Sequence, residues 1–396
     1  MIFNFDKSKV KDYLEEISDV PFAVDLLNEE GFTIGDGPPL FTIKVNKPID
    51  KKDLIYSTSL ALGEAYMDRA IEIEGDLFAA LNIALSQISN FSTNSLALKK
   101  IIQSSTSLRN QKKEVTSHYN IGNDFYKLWL GKTMNYSCGY FKNKEDTLDQ
   151  AQANKIHHIL GKLNLEEGMS LLDVGCGWGD LLIEAAKRYK IHGLGITLSE
   201  EQAKKFQASI DEEGLGDLLE VRIMDYRKLK TCQMTFDRVV SVGMIEHVGR
   251  DNYPLFFENI NAVLKKEGLF LLHFISALKE YPGDPWIKKY IFPGGVIPSL
   301  REILYICGDF TFYTLDIESL RQHYVKTLLS WHHNFLKSMD QISTLFDDKF
   351  IRMWELYLVS CAASFNNGVI DLHQVLVSKG VQNNSPLTRE HLYTKA

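Results

Sequence analysis

Cysteine is scarce in this chain, with five in 396 residues, an odd number and no Cys-x-x-Cys pair. That argues against a disulfide scaffold and a structural zinc site, and makes a reducing cytosol the expected compartment. Long apolar runs are missing as well. The most obvious one, Gly268 to Leu278, is too short to cross a bilayer and is interrupted by His273. The opening residues, Met1 to Lys7, lack the basic-then-apolar order of a secretory leader. Nor is positive charge in excess: 44 Lys and Arg against 51 Asp and Glu leave a formal net charge of −7. A nucleic-acid partner held by global electrostatics is therefore not expected. A membrane surface is a separate matter, because local patches act there. Lys99, Lys100, Arg109, Lys112 and Lys113 cluster in a stretch that also carries Leu96, Leu98, Ile101 and Ile102. An ordinary solvated face is the plain reading of that stretch.

What is present is the composition of a soluble globular chain, 45% hydrophobic and 24% charged, at a length that suggests two domains. Residues 1–102 read as a smaller N-terminal α+β domain. In it Val10 to Ile17 is helical, Phe41 to Val45 a strand, and Ile71 to Ile88 largely helical. The polar stretch 103–114 reads as a linker. Residues 115–396 alternate strands and helices in the manner of a doubly wound, Rossmann-like α/β sheet with helices on both faces. Strands are expected at Leu171–Val174, Ile191–Thr197, Leu219–Met224, Phe236–Val242 and Leu269–Ile275, with helices at Glu200–Ile210 and Tyr253–Leu264. Ligands of such sheets sit beyond the carboxyl ends of the strands. That places the candidates at Gly175–Gly179, Thr197, Asp225, Gly243–Glu246 and His273–Ser276. The tail from Gln382 is polar and expected to be poorly ordered.

The most informative segment is Ser170 to Leu181. An apolar strand breaks at three alternate glycines, Gly175, Gly177 and Gly179, before a helical pattern opens at Leu181. Such a turn lets backbone approach a ligand closely, with free N–H groups at the helix start. A ligand-free glycine turn is the plain alternative. The spacing Asp173-x-Gly-x-Gly-x-Gly differs from the dinucleotide fingerprint, so a nicotinamide dehydrogenase fits poorly. An acid ahead of the glycines suits an amine-bearing ligand better than a pyrophosphate. The segment resembles the first motif of S-adenosylmethionine-dependent methyltransferases.

Further motifs extend the likeness. His118 to Phe141, Leu172 to Gly179, Gly195 to Ser199, Ser241 to Gly249 and Asp284 to Gly295, in that order, resemble the cyclopropane-fatty-acyl-phospholipid synthase family, and Leu62 to Asp68 is similar to its N-terminal segment. One departure is Asp180, where a further glycine is frequent. The resemblance implies a class I methyltransferase sheet. The implied reaction carries a methylene unit from S-adenosylmethionine to the cis double bond of an unsaturated phospholipid acyl chain. A carbocation forms and bound bicarbonate removes the proton. Bicarbonate contacts would come from Cys138, Glu246, His273, the Ile275 backbone and Tyr324, with Glu246 orienting His273 or sharing a proton with the anion. Cys361, on an apolar helical stretch, is expected to line the pocket.

For the cofactor, the family pattern puts Tyr136 and Ser137 at the carboxylate, and Gly175 and Gly177 against the amino-acid end beside Asp173. It assigns Thr197 and Gln202 to the ribose region, and Asp225 and Tyr226 to the adenine. Tyr119, Tyr290 and Phe292 could offer ring faces to a cation. No metal is implied. The expected partners are membrane phospholipids with unsaturated acyl chains, met at the inner face of the cell membrane by a peripheral protein, with a homodimer as the expected assembly. Two other outcomes share these motifs: a methyl-branched or methylene product, and a non-catalytic lipid-binding protein that kept a cofactor fold.

Overall fold

A computed structural model of the chain describes residues 7–27, 30–90, 122–383 and 386–390. The linker expected over 103–114, the basic stretch Lys99–Lys113 and Tyr119 all lie outside these residues. The chain forms two compact units, neither of them continuous in sequence.

The first unit joins the N-terminal segment to Pro282–Pro293 and Leu328–Val369. Its strands are β1 (Phe22–Asp25), β2 (Phe32–Ile34), β3 (Phe41–Val45) and β4 (Ile71–Gly75), in the order β2-β1-β3-β4. Phe22, Val24, Ile34, Phe41 and Ala80 make its core, with the Phe22 and Phe41 rings stacked at 4.8 Å. The stretch Ile71–Ile88, expected to be largely helical, begins instead as a strand. Ile71-Glu72-Ile73-Glu74 alternates with a period of two and pairs antiparallel with β3. The helix starts only at Leu77, where the Asp76 side chain accepts the Ala79 N–H. The helices Pro285–Tyr290 and Asp348–Asn366, far along the sequence, also belong to this unit.

The second unit is built on seven strands in the order β10-β11-β9-β8-β5-β6-β7. They are β5 (Ser170–Val174), β6 (His192–Thr197), β7 (Leu219–Ile223), β8 (Phe236–Val242), β9 (Leu264–Ser276), β10 (Phe312–Ser319) and β11 (Asp371–Lys379). β7, β6, β5, β8 and β9 are parallel neighbours, whereas β11 runs antiparallel between β9 and β10. Successive residues of β5 serve different cores. Leu171 packs with Leu182, Phe206 and Ile210, and Leu172 with Tyr253, Phe256 and Phe270. This period-two split is what a sheet covered by helices on both faces requires. From β5 the chain steps outward through β6 and β7, then returns to β8 on the opposite side of β5. That reversal opens a crevice at the carboxyl end of β5, and the glycine turn lies in it.

Candidate active site

Backbone geometry explains the glycines. Gly175, Gly177 and Gly179 all have positive φ, at 85°, 56° and 92°. A Cβ on Gly179 would overlap the Phe206 ring, whereas one on Gly177 would meet nothing within 4 Å. The first glycine of this pair is therefore closed off by packing, and the second faces open space. Gly175 and Cys176 both donate to the Ile196 carbonyl, at 2.9 and 3.1 Å, which ties the turn to β6.

The cleft at this turn is lined by Tyr136, Ser137, Asp173, Gly175, Gly177, Thr197, Gln202 and Tyr226, eight of the nine residues expected at a cofactor. Asp225 is the ninth and is not among the lining residues. Its carboxylate forks onto Arg227 at 2.9 and 2.8 Å and caps the turn Tyr226–Thr231. Thr197 and Gln202 are bonded to each other, Oγ1 to Oε1 at 2.7 Å. Asp173 is buried, and its Oδ1 has no hydrogen-bond partner. Burial pushes its carboxyl up to about 7, against the opposing pull of Lys155. The Tyr226 hydroxyl is likewise buried without a partner. A cleft with a free glycine backbone, an unmatched buried acid and a buried tyrosine hydroxyl suits a ligand carrying both a ring system and an ammonium.

A second set of groups lies at the ends of β8 and β9. Glu246, on the short turn Ile245–His247, is buried, and its Oε1 accepts the Ile275 N–H at 2.7 Å. Its other oxygen, Oε2, is buried without a partner. Burial raises the carboxyl to about 7 despite the Ile275 amide, so near neutral pH a substantial fraction is protonated. His273 is 1% exposed. The Gln374 side-chain amide, on the neighbouring β11, donates to its Nδ1 at 3.2 Å. The proton of the neutral ring therefore sits on Nε2, which is buried and has no partner. Burial, with Lys155 adding to it, holds this ring neutral, with its pKa down at about 3. The sequence reading has Glu246 either orient His273 or share a proton with a bound anion; here Gln374 bonds His273, while Glu246 accepts the Ile275 amide and keeps Oε2 unpartnered.

Cys138 is fully buried, and burial pushes its thiol well above the usual range. Its Sγ donates to the Gly139 carbonyl at 3.2 Å. Tyr324 lies on the helix Arg321–Lys337 and is also buried. Cys138, Glu246, His273, Ile275 and Tyr324 all belong to the second unit; Cys361, Tyr290 and Phe292 belong to the first. There the Tyr290 hydroxyl donates to Glu64 at 2.7 Å, and Phe292 meets Tyr357 edge-on at 5.9 Å between ring centres. Burial, then the charge of Asp284, pushes the Cys361 thiol up to about 12. Among the described residues, no cluster of three or more His, Cys, Asp or Glu could hold a metal ion.

Comparison with known proteins places this arrangement. Residues 106–375 match the family profile described as mycolic acid cyclopropane synthetase. The chain belongs to that family. A separate profile, described as a domain of unknown function, matches residues 9–96. The chain is 36% identical over 388 residues to the cyclopropane-fatty-acyl-phospholipid synthase of Escherichia coli K12, covering 95% of this chain and 99% of that one. It is 37% identical over 384 residues to a probable fatty acid methyltransferase of Pseudomonas putida, covering 94% and 96%. The crystal structure of the mycolic acid cyclopropane synthase CmaA1 complexed with SAH and CTAB aligns with a TM-score of 0.64 at 33% identity, over 68% of this chain and 98% of that one. The seven-stranded sheet is thus the class I methyltransferase sheet expected from the sequence, and the family is one of enzymes.

Four residues around these sites carried no sequence signal of their own. Asn135 and Lys155 line the cleft, Gln152 bonds the Asn135 and Ser137 carbonyls, and Gln374 bonds His273. Gln152 and Lys155 look like polar positions of an amphipathic helix, yet they are 1% and 3% exposed. Their three-residue spacing on the helix Leu148–Leu163 puts both on one face.

Proposed function

We propose that this enzyme transfers a methylene unit from S-adenosylmethionine to the cis double bond of unsaturated phospholipid acyl chains and closes a cyclopropane ring. The observation that carries the reading is the pair of buried, unpartnered atoms Glu246 Oε2 and His273 Nε2 in a chain of this family. When bound, S-adenosylmethionine supplies an electrophilic methyl group. Asp173 would face its ammonium, Tyr136 and Ser137 its carboxylate, Thr197 and Gln202 the ribose, and Tyr226 the adenine. Asp225 acts at one remove in this reading, by capping the turn that starts with Tyr226.

Methyl transfer to an alkene leaves a positive carbon that water would trap, so the site has to be dry and must provide a base. His273 has its lone pair bonded by Gln374 and cannot take the proton, while Glu246, with its pKa raised to about 7, is only partly ionised near neutral pH. What this set offers is donors: His273 Nε2–H and, when protonated, Glu246 Oε2–H. A small anion fits between such donors, because burying it requires hydrogen bonds from every side. Bicarbonate, held by Glu246, His273 and Tyr324, would supply the base, with the Ile275 amide acting through Glu246 and Cys138 through its carbonyl-bonded thiol beside them. Aromatic faces near the reacting carbon would stabilise the cation by roughly 0.5–2 kcal/mol each.

In this reading residues 115–396 carry the chemistry and residues 1–102 meet the lipid surface as a peripheral, homodimeric assembly at the inner face of the cell membrane. No helix among the described residues is long and apolar enough to cross a membrane. The deciding experiment incubates the protein with S-adenosylmethionine, bicarbonate and mono-unsaturated phospholipid vesicles, followed by mass analysis. A gain of one methylene with loss of the alkene is expected. A methyl-branched chain would redirect the reading, and methylation of the head group would overturn it.

A further inference from the structure

The helix Leu148–Leu163 grips the segment Asn135–Ser137 with two side chains. Gln152 Nε2 donates to the Ser137 and Asn135 carbonyls at 2.9 and 3.4 Å. Lys155 Nζ donates to Ser137 Oγ at 2.9 Å and to Asn135 Oδ1 at 3.1 Å. Asn135 extends the chain, its Nδ2 donating to Asp180 Oδ2 at 3.1 Å. Asn135, Ser137, Lys155 and Asp180 all line the glycine cleft. An ammonium has three donors, and two are accounted for here. The third is left to the cleft, and a buried cation calls for an anionic partner there.

We propose that Lys155 binds the carboxylate of the methyl donor's amino-acid end, with Asp180 as its counter-ion relayed through Asn135. This rests on the reading of the cleft as a site for S-adenosylmethionine. Three ionisable groups face Lys155: Asp180 at the start of the helix Asp180–Tyr189 and Asp173 on β5, both raised by burial, which favour its charge when ionised, and the Cys138 thiol, which stays neutral near neutral pH. Beyond them, His273 on β9 responds to the same ammonium. Burial acts the other way and draws Lys155 down to about 8. The Asp180 carboxylate keeps the lysine charged to higher pH.

Calorimetric titration with two ligands separates a binding role from a structural one. S-adenosylhomocysteine carries the amino-acid end; 5′-methylthioadenosine shares the nucleoside and thioether but lacks it. Lys155→Gln keeps an amide donor on the same helix face and removes the charge, ending one atom shorter. Its affinity for S-adenosylhomocysteine should fall about tenfold or more, with that for methylthioadenosine unchanged. Equal weakening of both ligands, or of neither, overturns the assignment. Wild-type affinity for S-adenosylhomocysteine should decline as pH rises past about 8. In Asp180→Asn that decline should begin about one unit lower. Superimposable profiles would remove Asp180 from the role. Wild-type protein that binds neither ligand would defeat the donor-site reading and this proposal with it, an outcome distinct from the others.

Discussion

Glu246 and Ile275 share one hydrogen bond that leaves half a carboxylate exposed to nothing: Oε1 takes the Ile275 amide at 2.7 Å, while Oε2 is buried without a partner. Because burial raises the folded-state pKa from 4.5 to about 7, the native protein binds more protons than the unfolded chain between those values. The contribution of Glu246 to stability is therefore fully present below pH 4.5 and is lost as pH rises through about 7. Glu246→Gln abolishes that titration. It should be more stable than wild type at pH 8 by on the order of 3 kcal/mol, and match it near pH 4. Turnover on phospholipid vesicles should drop by about a hundredfold or more. An active variant, or one whose stability tracks wild type at every pH, would contradict the assigned role.

Gly177 and Gly179 make a matched pair of opposites. Gly179→Ala collides with the Phe206 ring at φ 92°, so it should lose about 3 kcal/mol or more of stability. Gly177→Ala, at φ 56° with open space ahead of it, should cost only about 1 kcal/mol. Its methyl would project into the cleft, so affinity for S-adenosylhomocysteine should fall about tenfold or more in a protein that still folds. Thermal melts alongside calorimetry distinguish the two. Equal stability losses would refute the packing argument.

Cys361 tests what a cysteine in this enzyme is for. A nucleophile must be a thiolate, and burial next to Asp284 pushes this thiol up to about 12. At neutral pH it is a small neutral group. Cys361→Ser should retain a substantial share of wild-type turnover under conditions where Glu246→Gln has almost none. Complete and equal loss in both would restore a covalent role for the sulfur.

The glycine turn was legible because its signal is local: alternate glycines between an apolar strand and a helix have few other meanings. The strands Phe41–Val45 and Phe236–Val242 were legible for the same reason, and both fall at the expected residues. Ile71–Gly75 was misjudged because four alternating residues ahead of an apolar helix blend into its pattern. Lys155 and Gln374 could not be read at all. A lysine on a helix and a glutamine on a strand gain meaning only when tertiary packing buries them, and the groups they hold, Ser137 and His273, lie 18 and 101 residues away. Asp225 shows the converse. Its place at a strand end was visible, but its bond to Arg227 depends on a turn that the sequence does not announce.

The Gln374–His273 contact gives a prediction that separates positioning from packing. With the Gln374 amide donating to Nδ1 at 3.2 Å, His273 keeps its proton on Nε2, the atom assigned to hold an anion. Gln374→Met fills similar space and drops the donor, leaving the proton free to occupy either nitrogen. Turnover should fall about tenfold while S-adenosylhomocysteine affinity holds. Gln374→Glu places an acceptor there instead. A neutral ring would then carry its proton on Nδ1 and present a bare lone pair at Nε2, whereas the imidazolium keeps the Nε2 donor. The new carboxylate also raises the pKa of His273 from about 3, since it stabilises the charged ring. The variant should therefore work at low pH and lose activity as pH rises through the new His273 pKa, a limb absent in wild type. Nitrogen chemical shifts of His273 would locate that pKa independently of turnover. If the two pH profiles coincide while the shifts show the ring retitrated, His273 does not donate to the reacting centre.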